Sequence, residues 1–165
     1  MNSIEEEVRI WNTPLVNGYF LWRFVSGYAD AHPSHEPPTV ILCVIALTIM
    51  SDETLYEPIN SRKKRLSAYV YSFVKEKKAD ALATLHLLIG ESKYMCIDAI
   101  DAATAAGVVV WDVEHGALAP GDFIEVDAKR CGKRNKANGD RAELLGRWFS
   151  ELNLNQIVTL LGVKL

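Results

Sequence analysis

The sequence predicts a mainly helical single domain with one small β-hairpin, in the outline of a winged helix-turn-helix. Three observations lead there. From Leu15 to Tyr28 the chain is apolar or aromatic around most of a helix's circumference. Between residues 61 and 106 apolar side chains recur at helical spacing. Val108-Val109-Val110-Trp111 then has the β-branched and aromatic make-up of a strand, followed by a turn and a return strand.

Residues 1–10 carry three consecutive glutamates and suit a short helical turn or arm. Thr13 can cap the first helix, with Pro14 at the first helical position, where its missing N–H costs nothing. On that helix Arg23, Ser26 and Asp30 fall at i, i+3 and i+7, one narrow polar stripe. A helix so apolar elsewhere is a central core helix or one shared with a partner. Pro37-Pro38 ends the loop after it. The apolar run that begins Val40-Ile41-Leu42-Cys43-Val44-Ile45 and extends to Met50 has strand propensity, but as a strand it would need burial on both faces. A buried helix is the reading preferred.

Ser61 is expected to cap a helix running to about Lys77, with Leu66, Tyr69, Val70, Phe73 and Val74 as its buried face. Asp80 opens another, with Leu82, Leu85, Leu88 and Ile89 inward. Glu91-Ser92 is read as a break before a further helix, Tyr94 to Ala106, which Gly107 ends. His115-Gly116 is the hairpin turn. Ala117 to Ala119 and Phe123 to Val126 form the return strand, interrupted by Pro120-Gly121. Asp127 to Arg141 is read as a polar loop, and Ala142 to Leu152 and Asn155 to Leu161 as two short closing helices. Gly146 lies inside the first of these, where glycine costs about 1 kcal/mol against alanine unless close packing uses it. The parts are then 1–78 (N-terminal helical), 79–126 (winged-helix-like), 127–141 (basic loop) and 142–165 (C-terminal helices), within one domain over 1–165.

The totals narrow the class. At 165 residues the chain suits one domain with a proper core, and 49% hydrophobic residues lies toward the high side for a soluble chain. A net charge of −3 argues against global attraction to nucleic acid or membrane, though not against local patches. Cys43, Cys96 and Cys131 are odd in number and widely spaced, neither a disulfide framework nor a zinc motif, and suit a reducing cytoplasm. The acidic N-terminus is unlike a signal peptide, and Thr39 to Met50, 12 residues, is short of the roughly 20 that span a bilayer. A cytoplasmic protein with no membrane partner is expected.

Glu5-Glu6-Glu7-Val8-Arg9-Ile10-Trp11-Asn12-Thr13-Pro14, then Gly18-Tyr19 and Leu21-Trp22-Arg23-Phe24, resembles the opening of a bacterial family. Leu145-Gly146-Arg147-Trp148-Phe149 and Leu160-Leu161-Gly162-Val163 match its far end. The family is the small middle component of three-component ABC-ATPase systems, the Lamassu-like SMC-type defence modules. The resemblance implies a non-catalytic subunit joining an SMC/Rad50-like ATPase to an effector, commonly a nuclease, in defence against phages or plasmids. DNA would be met through the complex.

The residues themselves give no active site. His32 and His35 with Asp30 and Glu36 sit in a proline-broken loop without a third ligand at a known metal spacing. Asp98 and Asp101, at i and i+3, read as a solvated helix face rather than an acid–base pair, and Cys96 as a small core residue. Neither G-x-S-x-G nor a P-loop is present, so the chain is not itself the ATPase, and no catalytic residue, metal or cofactor is expected. The basic clusters say more. Arg62-Lys63-Lys64-Arg65 would place four cations on a helix's first turn, against the macrodipole unless an anionic partner or acidic neighbours compensate. Lys129, Arg130, Lys133, Arg134, Lys136 and Arg141 outnumber Asp127 and Asp140 in the basic loop, a docking surface for phosphates or for an acidic protein face. Trp11, Trp22 and Trp148 belong to the core or to a partner interface. A free-standing winged-helix DNA-binding regulator is the alternative, but Tyr94 to Ala106 carries Asp98 and Asp101 and no Arg, Lys, Asn or Gln to read bases. A small enzyme would need a charge-paired pocket that these residues do not suggest.

Overall fold

In the computed structural model residues 13–121 and 132–164 are described. Eight helices and one hairpin are found among them. α1 (Pro14–Ala31), α2 (Val40–Ser51), the one-turn α3 (Glu53–Tyr56), α4 (Leu66–Lys75), α5 (Ala79–Ala83) and α6 (Leu85–Ala105) precede β1 (Val109–Asp112) and β2 (Ala117–Pro120). α7 (Gly132–Ser150) and α8 (Leu154–Leu161) close the chain. The fold is mostly helical with a two-stranded antiparallel hairpin, and the order short helix, long helix, hairpin is consistent with a winged-helix outline.

α1 is the central element. The Thr13 hydroxyl accepts from the Val16 amide at 3.4 Å, and Pro14 occupies the first turn. Its sides pack on α7, α6, α2 and β2. Phe20, Leu21, Phe24 and Val25 are nearly inaccessible, and Phe24 meets Phe149 of α7 edge-on at 5.5 Å. The approach of α1 to α7 depends on glycine. A Cβ on Gly146 would run into the Phe24 carbonyl and stand 2.8 Å from the Tyr28 amide, and one on Gly27 would strike the Glu143 backbone. Close packing thus uses the in-helix glycine.

α2 is the helix preferred over the strand. Eight of its residues are buried, which its strand-like composition requires in either conformation. The hairpin pairs Val109 with Pro120 and Asp112 with Ala117. The start of α2 holds it: the Val40 amide donates to the Gly116 carbonyl (2.9 Å) and the Leu118 amide to the Pro38 carbonyl (3.0 Å). At the turn, the His115 amide donates to Asp112 Oδ1 at 3.2 Å. Hydrogen bonds from His115 hold the half-buried Asp112 carboxyl below its ordinary range.

Four sequence expectations are corrected. The helix expected from Ser61 starts at Leu66, because Asn60 folds the chain into a turn: its Oδ1 accepts from the Arg62 amide (3.1 Å) and its carbonyl from the Lys63 amide (3.1 Å). Val74, expected inward, is 60% exposed. The break at Glu91-Ser92 does not occur, and α6 runs through it. Ser92 spends its hydroxyl on Ile89 O and on Thr48 of α2 at 2.7 Å, so it pins the helix instead of ending it. The polar loop Asp127 to Arg141 is helical from Gly132, continuous with the first closing helix. Its beginning, Asp127 to Cys131, lies outside the described residues, as does the strand segment Phe123 to Val126.

Candidate functional site

Among the described residues a cluster of ion pairs lies where α1 crosses α7. Asp140, Glu143 and Arg147 fall at i, i+3 and i+7 of α7 and face the polar stripe of α1. Arg23 donates to Asp140 Oδ1 at 2.9 Å and also pairs with Glu143, whose other oxygen holds Arg147. Arg141 projects beside them. Its Nη1 donates to the buried Asn138 Oδ1 at 2.6 Å, its Nε to the Ile59 carbonyl at 3.4 Å, and its guanidinium lies 5.6 Å from the centre of the Tyr56 ring. These groups line an open cavity of about 410 Å³, with Ile59 and Leu144 as its apolar walls and Asn60 and Ser61 at its side.

The basic residues singled out by sequence fall in two places. Arg62, Lys64 and Arg65 are exposed in the turn before α4, next to that cavity through Ser61, while Lys63 is half-buried and donates to the Pro58 carbonyl at 2.5 Å. Arg65 is the N-cap of α4 and the other three come just before it, so these cations still stand at the positive end of its dipole, with no acid in the first turn. Lys133, Arg134 and Lys136 are exposed on the first turns of α7, which has no acid in its first turn, and Arg134 reaches Glu53 at 3.7 Å. Lys129 and Arg130 lie outside the described residues, as does Trp11. Trp148 is core, 5.9 Å from the Tyr69 ring, and Trp22 is half-buried, 6.0 Å from Tyr19.

The other candidates are structural. His32 stacks on Tyr28 at 5.5 Å, and its Nδ1 accepts from the Ser34 and Glu36 amides. His35 Nδ1 meets the Ala29 carbonyl at 3.0 Å. Among the described residues no three His, Cys, Asp or Glu side chains converge as a metal site. Asp98 and Asp101 are exposed on α6. Cys43 and Cys96 are buried, and burial pushes both thiols up, Cys43 further through its neighbour Cys96. Such thiols are poor nucleophiles. No helix among the described residues is long and apolar enough to cross a membrane.

Sequence reasoning passed over the Arg23–Asp140–Glu143–Arg147 set as a site. The signal was present as two polar stripes of the same i, i+3, i+7 spacing. Only the fold shows that they face each other.

A concave set of ion pairs with exposed cations nearby is suited to binding charged groups. Residues 1–165 match the family described as ABC-three component (ABC-3C) system Middle Component 3. The chain belongs to that family. A middle component of a three-component system works with partner components, which agrees with a surface built for contact. The match covers the stretches of this middle component that carry the resemblance, which is upheld at the level of the three-component system. Neither a curated protein nor a solved structure is detectably similar to it.

Proposed function

We propose that this middle component is a non-catalytic, cytoplasmic adaptor that joins an SMC/Rad50-like ABC ATPase to an effector, a nuclease, in a Lamassu-type anti-phage or anti-plasmid complex. The observation that carries the reading is family membership over residues 1–165. Two features support it. Lys133, Arg134 and Lys136 stand at the positive end of the α7 dipole with no acid in the first turn, a placement that an anionic partner would stabilise. With Lys129 and Arg130 just before them and Arg62 to Arg65 elsewhere, they would hold DNA phosphates while the ATPase clamps.

The alternative, a free-standing winged-helix regulator, fits less well. The long helix before the hairpin exposes Asp98 and Asp101, which would meet phosphates of their own sign. Co-expression with the ATPase is the test. A stable complex by size exclusion is expected, together with an isolated chain that neither cuts DNA nor hydrolyses ATP. A monomer without affinity for the ATPase would overturn the adaptor role. Turnover abolished by substituting one of the chain's own residues would overturn the non-catalytic one.

A further inference from the structure

Arg141 differs from the other guanidiniums of the α1–α7 cavity. Arg23 and Arg147 face carboxylates, Asp140 and Glu143 for the first and Glu143 for the second. Arg141 is held by a carbonyl, a buried carboxamide oxygen and an aromatic ring, and has no carboxylate partner among the described residues. It is therefore a fixed cation in a concave site, with its shape already set and its charge unanswered. Three guanidiniums against two carboxylates leave the lining with a single positive charge.

We propose that this cavity receives one acidic side chain, an aspartate or glutamate, from another component of the complex. The inference rests on the adaptor reading for the partner's identity, but not for the chemistry of the pocket. A planar guanidinium recognises a carboxylate through paired N–H donors, and Arg147, half free to solvent, can turn a second set of donors inward. Ile59 and Leu144 supply apolar walls for the methylenes of the incoming side chain. A phosphate backbone fits worse. It brings charge after charge along its length, and Asp140, with its side chain 58% exposed, and Glu143 stand in its path. One carboxylate matches the single excess charge and meets that repulsion once, where a phosphate backbone would meet it repeatedly.

Two measurements test this independently. The isolated chain is titrated with N-acetylglutamate while the Arg141 and Arg147 Nε–Hε signals are followed by NMR. Saturable shifts are expected, and Ser61→Glu, which puts the chain's own carboxylate into the cavity from an exposed position, should abolish them. Absence of shifts in the natural chain overturns the pocket, whatever the complex does. Affinities are then measured on the complex with the ATPase and effector components. Ser61→Glu and Arg141→Gln should each weaken one protein component by about tenfold, the scale expected for a lost charge pair, whereas Asp140→Asn should tighten it. Thermal melts identify any loss of folding in Arg141→Gln, and Ser61→Glu stands as the surface control. Unchanged protein affinities in all three variants overturn the proposal. So does a loss confined to double-stranded DNA binding. A natural chain that binds neither component, yet still takes up N-acetylglutamate, overturns the adaptor reading and leaves the pocket.

Discussion

Gly146 carries no side chain because α1 occupies the place where one would go. Its missing Cβ would collide with the Phe24 carbonyl and the Tyr28 amide, backbone atoms that cannot turn aside. Gly146→Ala is therefore expected to lower stability by about 1–3 kcal/mol, the usual range of overpacking, or more, despite alanine's better helix propensity. Gly90, mid-helix in α6, has nothing within 4 Å of the place a methyl group would take. Gly90→Ala should gain about 0.5–1 kcal/mol. Opposite shifts in a chemical-denaturation series would confirm the asymmetry, and equal shifts would refute it. The sequence marks Gly146 as costly in a helix but cannot name the obstacle, because backbone atoms have no letter. Cysteine is easier to read. Cys96 shows its core character in its apolar neighbours, and the fold adds Cys43 beside it. In a Cys131→Ser variant the native protein should leave thiol reagents unconsumed at neutral pH, and take up two equivalents once unfolded, since Cys43 and Cys96 are both buried and free. Fast labelling of the native form would contradict that burial.

Helices with an apolar face were legible, and those whose buried face is polar or small were not. α1 announces itself through Thr13-Pro14 and a nearly continuous apolar surface. The first half of α7 conceals itself. Its buried positions are Asn138 and Gly139, the latter pressed on the Tyr19 ring, so the 3.6-residue period has no apolar letters to show. Four cations, with Asn135, Asp140, Gly132 and Ala137, fill the rest, which gives the composition of a loop. Ser92 misled for a related reason, because its partner Thr48 lies on another helix. The turn before α4 misled because Asn60, rather than Ser61, organises the backbone. α8 is the contrasting case, a helix set by local chemistry. Asn153 Oδ1 accepts from the Gln156 amide, and the Gln156 side chain returns to the Asn153 amide, each at 2.9 Å. Asn153→Ala should cost about 1 kcal/mol, read from thermal melts, and Gln156→Ala less. A neutral Asn153→Ala would mean that burial of Ile157 and Leu161 alone holds α8 in place.

At the scale of the whole molecule, clustered charge is visible in sequence and dispersed charge is not. Arg62 to Arg65 and Lys129 to Lys136 stand out as runs. Arg23 and Asp140 are 117 residues apart and meet only because α1 crosses α7. The molecule thus has a concave charged cavity and, on the first turns of α7, an exposed basic patch, and these need not serve the same partner. The patch is the DNA candidate. The Arg134–Glu53 pair, exposed and 3.7 Å long, holds little energy. Contacts of this kind ignore base sequence, since phosphates carry none. If two to four cations neutralise phosphates, changing Lys129, Arg130, Lys133, Arg134 and Lys136 to alanine should flatten the salt slope of the complex by roughly 2 to 4 units. Preference among DNA sequences should stay as it was. An acidic face of the effector would also be salt-sensitive, so DNA affinity and effector retention have to be measured on the same variant. A variant that keeps its DNA slope while shedding the effector would reject the DNA role and make the basic end of α7 a protein dock.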